Sequence, residues 1–190
     1  MVNNNQLFKN IRNRCIFSAM FAALIAVSSF FIIPLGSVPI VLKNLFVVLS
    51  GTVLGSFYGA IALFIFIAAG LLGVPVFVIP GIGVFNTPLG GYILGYLLAS
   101  LVSGLICGLP KINERKISLL FLVRLTIASL SGFILILICG VLYMMQLNSM
   151  SFTAASIAGA LPYIPGDLIK LAISIPLALK LRPIAARYIN

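Results

Sequence analysis

Apolar residues in this chain form long runs instead of alternating with polar ones. Six such segments can be drawn: Cys15–Ile33, two within Ile40–Leu72, Gly90–Leu109, Ile117–Met145 and about Asp167–Leu181. A helix that crosses a bilayer needs about 20 residues, with about 17 as the usual lower end. The pattern therefore predicts an all-α integral membrane protein with six transmembrane helices, in which the run Ile40–Leu72 breaks into two short spans near "GTVLGSFYG".

Composition agrees with this prediction. The chain is 62% hydrophobic and only 7% charged, whereas a soluble globular domain carries about 25% charged residues. With 190 residues, the chain is too short for a membrane unit joined to a separate soluble domain. We expect a single membrane domain over residues 1–190.

The basic residues predict the orientation of the chain. Nine of the twelve flank the apolar segments: Lys9, Arg12, Arg14, Lys111, Arg115, Lys116, Lys180, Arg182 and Arg187. With six spans all nine lie on one side, together with both termini, whereas five spans would place "KINERK" opposite the N-terminal cluster. Because basic residues concentrate on the cytoplasmic side, six spans with cytoplasmic N and C termini are favoured.

Several functional classes lack their usual residues. There is no His, and the only acidic residues are Glu114 and Asp167. This excludes His-based triads, paired catalytic carboxylates and the commonest metal ligand. The phosphate-binding pattern GxxxxGK[ST] is also absent. We expect neither an enzyme nor a metal or cofactor site, and we attribute the net charge of +10 to membrane topology and not to nucleic-acid binding.

Four charged residues lie within apolar segments, where their positions need another explanation. They are Lys43, Arg124, Asp167 and Lys170. A charge at the bilayer centre costs at least about 2.5–3.5 kcal/mol and usually faces a polar interior or marks a functional site. Arg124 is near enough to the inner end of its span to extend back to the cytoplasmic surface.

The remaining three charges predict a pocket. Asp167 and Lys170 are three residues apart, on one helix face, and the last span is short enough to begin below the outer surface, with Asp167 near its N-cap. Two interpretations remain: a self-contained ion pair, or an outward-facing pocket with Lys43 opposite. In a pocket, a lysine would bind a ligand carboxylate and Asp167 would accept ligand N–H groups.

The middle outer loop and its surroundings supply further candidates. Asn86, in "GVFNTPLGGY", can donate and accept hydrogen bonds at once, although it could equally form an Asx-turn before Pro88. An apolar wall for a ligand could come from four aromatic residues: Phe77, Phe85, Tyr92 and Tyr163.

A smooth stripe on the first span predicts a helix-packing surface. Ala19 and Ala23 are four residues apart in "SAMFAALIA", and small residues at that spacing let another helix approach closely. The spacing alone leaves open whether that helix belongs to this chain or to a partner.

Four stretches, taken in order, resemble the BioY family, the biotin-specific S components of energy-coupling factor (ECF) transporters. They are "IPLGSVPIVLKNLFVVLSGTVLG", "GLLGVPVF", "PLGGYILGY" and "PYIPGDLIKLA". The resemblance implies a six-helix protein of the bacterial plasma membrane that binds biotin from outside. It also implies a transmembrane coupling subunit, contacted through Ala19 and Ala23, and two cytoplasmic ATPases.

Biotin fits the pocket predicted from the residues. Asp167 and Asn86 could satisfy its neutral ureido group, the aromatic residues its thioether ring, and Lys170 or Lys43 its carboxylate. The chain departs from the family at Lys43, where a Gln is frequent. Other interpretations are an S component for another vitamin, a stand-alone secondary transporter, or a scaffold in which Asp167 and Lys170 are only a structural pair.

Overall fold

A computed structural model of the chain describes residues 4–35, 38–111 and 118–189. The helices and strands are α1 Asn4–Ser28, β1 Ile32–Leu35, β2 Val38–Val41, α2 Lys43–Leu54, α3 Ser56–Leu71, α4 Leu89–Cys107, α5 Leu119–Asn148, α6 Phe152–Gly159 and α7 Ile164–Ile189. Short 3-10 helices occupy Ile82–Asn86 and Leu161–Tyr163.

The prediction of a helical chain with several apolar helices is confirmed. Three segments are long and apolar enough to cross a membrane, namely Asn10–Ser28 of α1, α4 and α5, while α2 and α3 are apolar but shorter. Length and composition alone therefore identify three of the six expected spans. Arg115 and Lys116, on which the predicted orientation partly depends, lie outside the described residues.

The predicted break between the second and third spans is confirmed at Gly55. This residue has φ +83°, a left-handed conformation that costs glycine little. The break lies against α4 at Gly104, where an added Cβ would collide with the backbone of Gly55 and Ser56. The close contact between these two backbones therefore depends on glycine at position 104. This contact packs α4 against the α2–α3 turn.

The connection between α1 and α2 differs from the prediction. We expected one span to continue to Ile33 and the next to begin at Ile40, but α1 ends at Ser28 and the chain forms an antiparallel hairpin in which Ile32 pairs with Val41 and Pro34 with Pro39. Hydropathy could not separate these elements because the strand residues are as apolar as the helices beside them. The β-branched residues and two prolines favour extended backbone over helix.

The last helix is longer than predicted and begins earlier. A helix of 15 residues with Asp167 at the N-cap was wrong: α7 has 26 residues, starts at Ile164 and passes through Pro176 and Pro183. Pro165 fits the first turn because the N–H it lacks would have no partner there. Beyond Pro183 the helix continues because Ala185, Ala186 and Ile189 are buried against the core.

Arg182 is buried, although we expected it to be a surface base marking the cytoplasmic side. Its side chain is 0% exposed. The guanidinium donates to the carbonyl oxygen of Thr52 and, at 3.2 Å each, to those of Gly108 and Leu109. It also contacts Cys107 Sγ at 2.9 Å. These acceptors lie where α2 and α4 end, and helix ends leave carbonyls without intrahelical partners.

The two ends of the chain meet at the same end of the bundle. Asn13 Nδ2 donates to the carbonyl oxygen of Tyr188 at 2.9 Å, and Arg14 Nε donates to that of Ile189 at 2.7 Å. The first half of α1 is thereby attached to the end of α7. The opposite end of α7, with Asp167 and Lys170, belongs to the end of the bundle where α1 finishes and α2 and α4 begin.

Candidate ligand-binding site

A cavity of about 350 Å³ opens at that second end of the bundle. Its volume lies within the range of small-molecule sites. The lining comes from the end of α1, the end of β2, the starts of α2, α4 and α7, the middle of α5 and the segment after α3. Its residues are Ser29, Phe30, Val41, Lys43, Asn44, Pro75, Val76, Phe77, Val78, Val84, Leu89, Tyr92, Ile93, Tyr96, Leu137, Tyr163 and Lys170. Most of these side chains are apolar or aromatic, so the few polar ones would orient a ligand.

Lys170 lines the cavity and forms a buried ion pair with Asp167, which lies behind it. Lys170 Nζ lies 2.5 Å from Asp167 Oδ1, and the two residues are 3% and 6% exposed. The second carboxylate oxygen, Asp167 Oδ2, is buried and has no hydrogen-bond partner among the described residues. Buried polar atoms are normally satisfied, so this oxygen has capacity for a donor that the described residues do not supply.

Lys43 and Asn44 are the polar side chains that α2 contributes to the cavity. Lys43 is half-buried, and its Nζ lies 5.3 Å from the centroid of the Tyr96 ring, within the range of a cation–π contact. Leu42, the N-cap residue of α2, makes no side-chain cap. The N–H of Leu45 donates to the carbonyl oxygen of Leu42 at 3.0 Å, so a backbone hydrogen bond and not a side chain closes the first turn of α2.

Aromatic rings form the apolar walls. Phe77 is buried and packs edge-to-face on Phe66, with ring centroids 5.5 Å apart. Across the cavity lining, the rings of Tyr92 and Tyr163 lie 6.2 Å apart. A flat, apolar ring system of a ligand would find contact area here without placing polar atoms against hydrocarbon.

Two tyrosine hydroxyls attach the neighbouring segments. Tyr92 Oη donates to the carbonyl oxygen of Gly159 at 2.5 Å, which ties α6 to α4 beside the cavity. Tyr143 Oη donates to the carbonyl oxygen of Phe85 at 2.5 Å. Helix α6 and the 3-10 helix Ile82–Asn86 are therefore held on the bundle by specific hydrogen bonds.

The structure brings together some of the predicted site residues and separates others. Five line the cavity: Lys43, Phe77, Tyr92, Tyr163 and Lys170. Asp167 is not in the lining and reaches it through its ion pair with Lys170.

Asn86 and Phe85 are not in the lining either. Asn86 is exposed, because the 3-10 helix Ile82–Asn86 turns Val84 toward the cavity. The period of about three residues brings only one side chain of that short helix inward.

Tyr96 and Asn44 line the cavity and were missed in the sequence. Tyr96 follows Tyr92 by four residues, a spacing that places both on one helix face. Asn44 directly follows Lys43 at the start of α2. The Tyr92–Tyr96 spacing was a usable signal, whereas nothing in the sequence distinguishes Asn44 from an ordinary helix-start residue.

The other predicted residues lie away from the cavity. Ala19 and Ala23 are exposed on α1, on a face that also carries Met20 and Val27. Arg124 is exposed, and its Nε donates to the carbonyl oxygen of Ile106 near the end of α4.

Comparison with known proteins identifies the family. The model of the BioY family matches residues 3–187. The chain is 33% identical over 172 residues to the biotin transporter BioY of Thermotoga maritima, covering 87% of this chain and 93% of that protein. It is 32% identical over 166 residues to a probable biotin transporter BioY of Pyrococcus horikoshii, covering 86% and 93%.

A solved structure has the same fold. It is described as the S-component for biotin from an ECF-type ABC transporter, and the match has a TM-score of 0.75 and 29% identity over 96% of this chain and 95% of that one. A family match over nearly the whole chain, relatives above 30% identity and a shared fold agree with the four stretches singled out in the sequence: this chain belongs to the BioY family, a family of membrane transport proteins.

Proposed function

We propose that this protein is the substrate-binding S component of an ECF-type ABC transporter and captures biotin from outside the cell. The observation that carries the proposal is the cavity lined by Lys43 and by Lys170, the partner of buried Asp167, in a chain of this family. The names of its relatives and of the matching structure support biotin as the ligand.

The chemistry of the cavity agrees with that of biotin. Asp167 Oδ2 is a buried acceptor without a partner among the described residues, and the ureido group of biotin carries two N–H donors. Phe77, Tyr92 and Tyr163 offer apolar surface for the thioether ring. The carboxylate of biotin needs a cation, and two lysines line the cavity. Asn86, also predicted to meet the ureido group, would have to act from outside this lining.

The topology that accompanies this proposal has six crossings: α1, α2, α3, α4, α5 and α7. Contact between Arg14 and the end of α7 supports an even number, because both chain ends then lie on one side. The basic residues near that end, including Lys111 and Arg187, favour the cytoplasm. The cavity would then face outward, in a bacterial plasma membrane.

Delivery of biotin into the cell would require partners. The matching structure is an S component of an ECF-type ABC transporter, and such an assembly adds a transmembrane coupling subunit and two cytoplasmic ATPases. The exposed face of α1 that carries Ala19 and Ala23 suits the coupling subunit, since small residues let two helices approach closely. No cofactor is needed in the S component itself, whose only ligand would be biotin.

Isothermal titration of the purified, detergent-solubilised protein tests the assignment of the ligand. We expect one-to-one binding of biotin and no heat of binding with riboflavin or thiamine. Binding of either of those vitamins instead of biotin would keep the S-component fold and overturn the substrate. Binding of none by the folded protein would remove the proposed function.

A further inference from the structure

A second groove lies on the exposed face of α7, at the end of the bundle opposite the ligand cavity. It has a volume of about 410 Å³ and is lined by Leu179, Lys180, Pro183, Ile184 and Arg187. Lys180 and Arg187 are exposed, and neither forms a hydrogen bond or an ion pair with any of the described residues. The groove therefore combines apolar walls with two positive charges that the described part of the chain leaves unpaired.

The basic residues of the groove continue an apolar stripe along α7. Ile169, Ile173 and Pro176 are exposed and lead to Lys180 in steps of three or four residues, which keep them on one helix face. From Ile169 to Lys180 the helix rises by ~16 Å, which is close to half of the ~30 Å hydrocarbon thickness of a bilayer. The stripe therefore has the length of the acyl chains of one leaflet, and the charges lie where headgroups begin.

We infer that this groove binds an anionic phospholipid, whose phosphate contacts Lys180 and Arg187 while its acyl chains lie along the apolar stripe. The two residues are separated by roughly 10 Å along the helix, so their long side chains can converge on one group between them. Arginine presents a planar fork of donors that matches a phosphate, and lysine adds a compact charge. The inference does not depend on which vitamin binds at the opposite end of the bundle.

The charges around the groove favour an anion. Within residues 4–35, 38–111 and 118–189 the acidic side chain is that of Asp167 alone, and it is paired with Lys170 at the other end of the bundle. No carboxylate of these residues therefore neutralises the groove. In the proposed topology this end faces the cytoplasm, where basic residues beside the membrane attract anionic lipids.

The apolar stripe favours a lipid over a soluble acidic partner. A soluble partner could contact Lys180 and Arg187 but could not reach Ile173 within the bilayer, whereas a phospholipid contacts all three. Pro183 adds a feature that suits a headgroup with hydroxyls. Because proline has no N–H, the carbonyl of Leu179 lacks its usual helical donor and can accept a hydrogen bond from the glycerol of phosphatidylglycerol.

Native mass spectrometry of the detergent-purified protein tests the inference. Binding of dioleoyl-phosphatidylglycerol and of dioleoyl-phosphatidylcholine is measured on wild-type protein, on Lys180→Gln/Arg187→Gln and on Arg12→Gln/Lys111→Gln. The last variant is the matched control, because it removes two positive charges at exposed positions outside the groove. Thermal unfolding checks that each variant is folded. A further arm adds glycerol phosphate as a competitor, which separates a free phosphate from a lipid headgroup.

We expect wild-type protein to bind phosphatidylglycerol about 30-fold more tightly than phosphatidylcholine, since each of two basic residues near an anionic surface contributes about fivefold. Lys180→Gln/Arg187→Gln should lose this preference by weakening phosphatidylglycerol. The control variant should keep it, and glycerol phosphate should not displace the lipid, because it lacks acyl chains to contact the stripe.

Other results overturn the inference. Equal binding of the two lipids by wild-type protein would mean that the groove does not recognise negative charge. Equal losses in the two double variants would assign the effect to overall charge and not to this groove, and displacement by glycerol phosphate would assign the groove to a free phosphate. None of these results affects the proposed function, which is tested separately by biotin titration.

Discussion

At the scale of single residues, the most consequential feature is that the buried charged side chains of the described residues, Asp167, Lys170 and Arg182, have polar or charged partners. Asp167 and Lys170 neutralise each other, and Arg182 donates to three carbonyl oxygens at the ends of α2 and α4. Removing one member of such a group leaves the other uncompensated, which costs more than removing both. Comparison of single and double variants therefore separates the contribution of a buried charge to stability from its contribution to ligand binding.

Lys170→Ala should destabilise the protein strongly, because it leaves the Asp167 carboxylate buried alone. Breaking a buried pair in this way costs about 3–5 kcal/mol, and biotin affinity should fall together with stability. Asp167→Asn/Lys170→Met should recover most of the stability but not the affinity. Thermal unfolding in detergent, measured beside biotin titration, checks this. Equal stability of the single and double variants would show that the pair does not compensate charge.

Arg182→Met should lower stability while leaving the cavity intact. The substitution keeps apolar volume but removes the donors to three carbonyls, and each unsatisfied buried acceptor costs about 1–3 kcal/mol. Because those carbonyls lie at the other end of the bundle from Lys170, biotin affinity should change by less than about threefold, or roughly 0.7 kcal/mol.

The matched control for this substitution is Arg182→Lys, measured by thermal unfolding and biotin titration side by side. It keeps the positive charge but lacks the planar fork of donors that arginine presents, so its stability should fall between those of wild type and Arg182→Met. A large loss of affinity in a folded Arg182→Met protein would contradict the division between the two ends of the bundle.

At the scale of elements, the six predicted helices were found, whereas their ends and the short helix α6 were not predicted. The long apolar runs predicted α4 and α5 because nothing within them interrupts the hydrophobic pattern. The hairpin at 32–41 was missed since its strands are equally apolar. The end of α7 was placed too early because the apolar run stops at Leu181, before Arg182, and a proline at 183 also disfavours helix at the residue before it. Burial of Ala185 and Ile189 outweighs that local preference. In the cavity, charged residues stood out in the sequence, whereas Asn44 could be found only from its position in the fold.

Packing of α4 on the α2–α3 turn leads to a prediction at Gly104. A Cβ there would collide with the backbone of Gly55 and Ser56, which cannot move aside as a side chain can. Gly104→Ala should therefore destabilise the protein by about 1–3 kcal/mol, the usual cost of overpacking. Gly83→Ala is the matched control, because an added Cβ there meets only Ile79 Cγ2 at 3.4 Å. Similar unfolding temperatures for the two variants would show that the turn can separate from α4 at little cost.

At the scale of the whole molecule, the two ends of the bundle have different tasks in the proposed function. One end holds the cavity, and the other gathers the chain termini and basic residues. A side face of α1 exposes Ala19 and Ala23, away from both. If binding and energy coupling use separate surfaces, then substitutions on this face should affect transport without affecting the capture of biotin.

Ala19→Trp/Ala23→Trp tests that separation. Bulky indoles on the exposed face should keep a coupling-subunit helix at a distance, because close approach depends on small residues. Biotin binding by the isolated variant should match wild type within about twofold, or roughly 0.4 kcal/mol, since neither alanine lines the cavity. ATP-dependent uptake by cells that carry the coupling subunit and both ATPases should be lost.

Leu94→Trp, on an exposed position of α4, is the control for a bulky residue facing lipid and should retain uptake. Undiminished uptake by the alanine variant would show that the coupling subunit contacts another face, while loss of biotin binding would show that α1 and the cavity are not independent.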